Sequence, residues 1–329
     1  MKKLINDPFD FVEEQLDGFV QAHDDLVRRA GRRAVARIDA PIAGKVGVVI
    51  GGGSGHLPAF MGYVGKGGAD AAPIGNIFAS PPAKPIIEAT LAANGGAGVL
   101  YSYGNYAGDV LNFERAAEKV RAMGISVETV LVTDDLASAP PSDIHNRRGI
   151  AGDFFVFKIA CAKAESMADL HSVAASTRKA NDCTRTMGVG LTSCTVPANG
   201  RPTFGLPDDE MEIGLGVHGE PGMRRTRIIP ADRVVDELIE CILTDYDYVD
   251  SDVAILVNGL GATPYEELYV MYRRAAQQLA ARNVRVRRKF VGEYVTSLEM
   301  AGASITLMKL DSELDALMAM PVRCPMFKL

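Results

Sequence analysis

The sequence predicts an α/β protein of two domains with largely parallel or mixed sheets. Short β-branched runs alternate with stretches of helical spacing. The runs repeatedly end in glycine loops, and near residue 185 helix-forming sequence gives way to glycine-rich, extended sequence. A length of 329 residues suits two domains or one large one. The expected domains are 1–185 and 186–329, with the site between them.

Residues 46–50 (VGVVI) read as a buried strand running into Gly51–Gly52–Gly53–Ser54–Gly55. Helical spacing follows at 84–93, and Val99–Tyr103 is a second strand stopped by Gly104. Residues 109–123 space their apolar positions as a helix, with Asp109 as its expected N-cap. Gly124 ends that helix, and 127–133 is a third strand. A long Pro/Gly-rich connection, 134–152, precedes two helical pieces within 153–181. Segments 186–202 and 209–222 are extended. A helix at 231–243, a strand at 252–257, a helix at 264–282 and strands near 284–290 and 303–309 complete the chain.

Hydrophobic residues make up 47% and charged residues 23%, enough apolar material for a core of ordinary size. A net charge of −6 argues against nucleic-acid or anionic-membrane partners. The densest basic run, VRVRRKF at 284–290, alternates as a strand edge does. Five cysteines, at 161, 183, 194, 241 and 324, include no CxxC pair and no histidine at metal-ligand spacing. Free thiols in a reducing cytoplasm are the reading, and the N-terminus lacks the apolar run of a signal peptide.

Four loops could carry chemistry. Gly51–His56 places four glycines and a histidine after a strand, where backbone N–H groups suit a phosphate or polyhydroxyl ligand. It is not a Walker A loop, because no Gly-Lys-Ser/Thr follows, nor GxGxxG, because position 56 is His. Asn105–Asp109 also follows a strand; Asp109 there is more often a helix cap than a general base. Gly216–Gly222 carries His218, either a surface turn histidine or a nucleophile and proton shuttle, with Glu220 as a candidate orienting group. Asn258–Pro264 is expected to be a structural strand-to-helix turn. Asp134–Asp135, Asp208–Glu210 and Arg147–Arg148 are expected to be solvated rather than metal- or phosphate-binding.

DAPIAGKVGVVIGGGSGHLP, NYAGDVLNFERA, RRGIAG, SCTVPANGRPTF, MEIGLGVHGEPG and NGLGATPYEELY, in that order, resemble the substrate-binding subunit of bacterial dihydroxyacetone kinases. The resemblance spans nearly the whole chain. It implies that His218 adds to a ketone carbon and holds the substrate as a hemiaminal. It implies that His56 hydrogen-bonds the adduct and that Asp109 acts as base toward the hydroxyl receiving phosphate. The backbone of Gly53, Ser54, Gly55 and Gly104 would lie against the substrate. No cofactor is implied on this chain; ADP or ATP with Mg²⁺ would sit on a separate helical subunit, and the ketose-binding subunit would be a homodimer.

A hemiaminal needs a carbonyl, so such a site rejects glycerol without measuring size. The sequence departs from the family at two positions: Leu57 stands where glutamate is usual, and Gly104 where lysine is usual. Loss of a cationic side chain opens volume, which points to a larger ketose such as erythrulose beside or instead of dihydroxyacetone. Two rival readings are a non-catalytic ketose sensor or coactivator and a phosphosugar-binding module or isomerase.

Overall fold

The computed structural model describes residues 2–329, which form two compact units. One unit gathers the chain up to Val132 with Val156–Lys179 and Leu314–Leu329; the other holds Thr133–Phe155 and Ala180–Glu313. The sequence reading places one boundary near 185, whereas the chain changes unit after Val132, Phe155, Lys179 and Glu313. Backbone pairing explains the C-terminal return: Arg323 N donates to Lys66 O at 2.8 Å and Met326 N to Gly62 O at 3.1 Å.

The first unit is built on a seven-stranded sheet ordered Val27–Arg29, Ala34–Arg37, Ala71–Ile77, Gly47–Ile50, Val99–Gly104, Val127–Val132, with Gly52–Ser54 paired beside Ala71–Ile77. Its centre is parallel, and the first two strands are antiparallel. Val48, Val49 and Ile50 are wholly buried, as expected of parallel strands covered on both faces. Helices Ala83–Ala93 and Ala107–Ala122 pack Ile86, Ala89, Phe113, Ala116 and Val120 against Val49, Tyr101 and Tyr103. The chain leaves Gly47–Ile50 toward Ala71–Ile77 on one side, and Val99–Gly104 lies on the other. Strand order therefore reverses at this point, where α/β sheets open a crevice beyond the strand ends.

The second unit is built on a six-stranded sheet ordered Arg224–Arg227, Glu210–Ile213, Thr184–Thr192, Ala301–Leu310, Asp252–Gly259, Arg285–Gly292. Only the last two strands run parallel; the other pairings are antiparallel. Helix Ala231–Asp245 buries Val234, Val235, Leu238, Ile239 and Ile242 along one stripe. Helix Tyr265–Ala280 adds Leu268, Met271, Ala275 and Leu279. The basic run is the edge strand Arg285–Gly292, alternately exposed as its spacing predicts. No helix among the described residues is long and apolar enough to cross a membrane.

Candidate functional site

In the first unit, Ile50 lies opposite Ser102 in parallel register, so the loops Gly51–His56 and Gly104–Asp109 leave the sheet from the same end. Segment Phe78–Ser80 ties the two loops together. Phe78 N donates to Ser54 O at 2.9 Å, and Asn112 Nδ2, on the helix that follows Asp109, donates to Ser80 Oγ at 3.2 Å. The glycines are required by contact: a Cβ at position 53 would lie 2.5 Å from Ala79 N, and one at position 52 would lie 2.6 Å from the Phe60 ring. Gly55 has φ +105°, open to glycine at no steric cost. Ser54 is buried and its hydroxyl donates to Gly75 O at 2.7 Å.

His56 is only 4% exposed. Its ring stacks on Phe78 with centroids 5.1 Å apart and meets the edge of Phe60 at 6.2 Å. Phe78 takes a left-handed backbone conformation, φ 54°, which costs a non-glycine residue roughly 1–2 kcal/mol. Strain of this kind persists where the surroundings over-determine a conformation, and it gathers at functional sites.

Asp109 is not the helix cap. Helix Ala107–Ala122 starts two residues before it, Tyr106 is the N-cap without a side-chain cap bond, and Asp109 is the third helical residue. The expectation misplaces the start because Ala107 and Gly108 carry no starting signal, whereas Asp109 does. The carboxylate is buried in the first turn, where the helix dipole favours negative charge. Burial, and then the Asp109 charge, push the Tyr103 hydroxyl far above its ordinary pKa, so the two groups share one electrostatic environment.

In the second unit, residues 214–223 connect strand Glu210–Ile213 to the edge strand Arg224–Arg227 paired with it. Gly222 N donates to Glu212 Oε1 at 2.7 Å, and Met223 N to Ile213 O at 2.8 Å. Within the loop, Gly219 (φ +86°) donates to Gly216 O at 3.0 Å, and Gly216 N donates to Glu220 O at 3.1 Å. This tight turn brings Glu220 back onto the histidine two residues before it. His218 N donates to Glu220 Oε2 at 2.9 Å, and the ring Nδ1 lies 2.9 Å from Glu220 Oε1. Ser297 Oγ donates to Val217 O from the loop between strands Arg285–Gly292 and Ala301–Leu310.

Burial works to raise the Glu220 carboxyl, but the His218 ring and the Arg148 guanidinium outweigh it and leave it at about 2. An ionised carboxylate only accepts, so Nδ1 carries the proton in this contact. The contact fixes the orientation of the imidazole, whose side chain is 23% exposed.

The other loops fill structural roles. Asn258 donates to Val295 O at 2.8 Å and accepts from Tyr294 N and Val295 N at 2.9 Å, pinning the turn after its strand. Asp208 and Asp209 are exposed, as expected of a solvated acidic run. Asp134–Asp135 and Arg147–Arg148 are not solvated. Asp134 is buried and accepts from Ile150 N at 2.8 Å and Gly152 N at 2.7 Å. Asp135 is buried under Arg148, and Arg147, 1% exposed, forks onto Asp245 at 2.9 and 2.6 Å. Their opposite charges lie far enough apart in sequence that local polarity alone mistakes both pairs for surface. Among the described residues no group of three or more His, Cys, Asp or Glu is placed to hold a metal ion.

Fold and loops together define a class: α/β proteins whose candidate reactive groups ride on glycine-rich loops at strand ends. Within that class the chain belongs to the Dak1 domain family, whose model matches residues 17–326. It is 45% identical over 331 residues to a Listeria innocua protein named as the dihydroxyacetone-binding subunit of PTS-dependent dihydroxyacetone kinase 2, covering 100% of this chain and 99% of that one. It is also 45% identical to an L-erythrulose 1-kinase of Mycolicibacterium smegmatis, covering 100% of this chain but 58% of the relative's length. A solved structure described as the dihydroxyacetone kinase operon co-activator Dha-DhaQ superposes with a TM-score of 0.88 at 30% identity, covering 95% of this chain and 97% of that one.

Proposed function

We propose that the chain is the ketose-binding subunit of a dihydroxyacetone-type kinase, holding a short ketose on His218 while a separate nucleotide-carrying subunit supplies the phosphoryl group. The observation that carries this reading is the 2.9 Å contact between His218 Nδ1 and Glu220 Oε1, which orients the ring of the loop histidine. Nε2 forms a bond to the ketone carbon, the C=O π pair moves to oxygen, and that oxygen takes a proton. The ring gains positive charge in this step, and the Glu220 carboxylate stabilises it.

His56 would hydrogen-bond the adduct oxygen, and Asp109 would accept the proton of the hydroxyl that receives phosphate. The Gly53–Gly55 backbone and Gly104 would line the substrate. ADP or ATP with Mg²⁺ belongs, on this reading, to a helical partner subunit, and the chain itself works as a cytoplasmic homodimer. The L-erythrulose 1-kinase relative, together with Gly104 and Leu57, supports a four-carbon ketose as a substrate beside dihydroxyacetone.

The test is ¹³C NMR with ketose labelled at carbon 2. A protein-bound tetrahedral-carbon resonance, distinct from those of the free ketose and its hydrate, is expected with the intact chain and none with His218→Ala; an adduct that survives the substitution refutes the assignment. Phosphate transfer to dihydroxyacetone and erythrulose, assayed with the nucleotide-carrying subunit present, tests the rest. The co-activator structure favours a second reading, a ketose sensor that binds but never transfers phosphate. An adduct without phosphorylated product would establish it.

A further inference from the structure

Behind Glu220 stands a second tier of charge. Arg148 Nη1 lies 3.9 Å from Glu220 Oε2, while the other side of the same guanidinium grips Asp135 Oδ2, with Nε at 2.9 Å and Nη2 at 2.8 Å. The Arg148 backbone is fixed as well: its N–H donates to Ser138 Oγ at 2.9 Å, and its carbonyl accepts from Asp135 N at 3.0 Å. The preceding residue, Arg147, anchors the segment to Asp245 on helix Ala231–Asp245. Gly216 leaves room for the pair, since a Cβ there would stand 2.3 Å from Glu220 Oε2 and 2.8 Å from Arg148 Nη1.

We infer that Arg148 is a positioning residue for His218, holding Glu220 between guanidinium and imidazole so that one ring tautomer prevails. The inference rests on the reading of His218 as the ketose-holding group. Without the cation, Glu220 faces one positive partner fewer and its carboxylate can rotate off Nδ1. The ring would then exchange tautomers and spend part of its time with the lone pair on the wrong nitrogen. Asp135 keeps the guanidinium in place from below. At 2% exposure its side chain is too enclosed for water to take over that part.

Four forms of the full chain separate the possibilities: wild type, Arg148→Gln, Arg148→Lys and His218→Ala. Two readouts are taken, the adduct equilibrium with carbon-2-labelled dihydroxyacetone and the ¹⁵N imidazole spectrum of His218 across pH. Arg148→Gln is expected to weaken the adduct about tenfold, equivalent to about 1.4 kcal/mol, and to turn a single Nδ1–H tautomer into a mixture. Arg148→Lys should recover part of the loss, because it restores charge but not the planar fork. An adduct constant within about twofold of wild type, with the tautomer unchanged, overturns the inference. Should Arg148→Gln fail to fold, a smaller admixture of the second tautomer is expected in Arg148→Lys, which loses the planar fork, and an unchanged tautomer there overturns the inference equally. Loss of the wild-type adduct, or its survival in His218→Ala, instead refutes the underlying reading, and the tautomer spectra still judge Arg148.

Discussion

His56 and His218 both sit in loops rich in glycine, yet different forces hold the two rings. In the first unit the ring of His56 lies buried on Phe78, between glycines whose missing side chains leave no spare volume. In the second, His218 is partly open and is held by a chain of charges through Glu220, Arg148 and Asp135. Tight aromatic packing surrounds one ring, and a chain of ion pairs backs the other. A loop leaving a parallel strand end that is buried on both faces is closely packed on all sides. The connection between the edge strand Arg224–Arg227 and its neighbour has solvent on one side and is held by ion pairs of its own. The first unit should therefore respond most to added volume, and the second to lost charge.

The largest effect that would sharpen this contrast is expected at Asp245. Its carboxylate accepts from Arg147 and from Arg185 Nε at 2.6 Å, and all three side chains are less than a tenth exposed. Burial raises the Asp245 carboxyl, but the two arginines overcome it and keep it below the usual range. Asp245→Asn leaves two buried guanidiniums facing a neutral amide. Removing one partner of such a group costs about 3–5 kcal/mol. Urea unfolding at neutral pH should show it, and a loss under about 1 kcal/mol would mean that this unit does not depend on charge as argued.

Gly53→Ala probes the other side of the comparison with a single methyl group. The new Cβ would meet backbone, Ala79 N at 2.5 Å, which cannot rotate away as a side chain could. Overpacking of this kind costs about 1–3 kcal/mol. It should also push Phe78 off His56, since Phe78 is the residue before Ala79. Stability within about 0.5 kcal/mol of wild type would show that the loop has slack and that shape is not what fixes His56.

Much of this was legible in the sequence, for identifiable reasons. Buried strands such as Gly47–Ile50 and Asp252–Gly259 announce themselves as apolar β-branched runs, and helix Ala231–Asp245 shows its stripe at helical spacing. The loops bearing His56, Asp109 and His218 stand out because glycine clusters after strands are rare and costly. Glu220 as the orienting group was readable from its place two residues on. The partners that act across long stretches of chain were not readable. Arg148 reaches Glu220 over more than seventy residues, and Ser297 reaches Val217 over eighty. Nothing in RRGIAG distinguishes a buried ion pair from a solvated one, because the compensating charge is placed only by folding. The changes of unit were hidden as well: the Pro/Gly-rich stretch after Val132 reads as a loop within one domain, and no shift of composition marks Glu313.

The smallest expected effect concerns the two carboxylates that share Arg148, whose pH responses should have opposite sign. Burial raises Asp135 to about 6 from its ordinary 3.8, against the pull of Arg148. Between those values the folded chain keeps a proton that the unfolded chain has lost, so this group makes stability fall as pH rises through the window. Glu220, held at about 2 against an ordinary 4.5, contributes stability that is fully present above the higher value and lost as pH falls toward the lower. Asp135→Asn removes the first response and leaves the second. Unfolding free energies of wild type and variant from urea titration, compared at a pH of about 4.5 and about 6.5, should diverge in the variant's favour at the higher pH by on the order of 1 kcal/mol. Loss of the charged partner of Arg148 is already contained in the Asp135 response, and the exchange of a neutral carboxyl for a neutral amide is common to both conditions and cancels. A difference that is flat across the window, or that grows in wild type's favour, would show that Asp135 is already ionised at the lower pH. The guanidinium would then be anchored by a full charge throughout, and charge would fix the second unit's histidine even more firmly than shape fixes the first's.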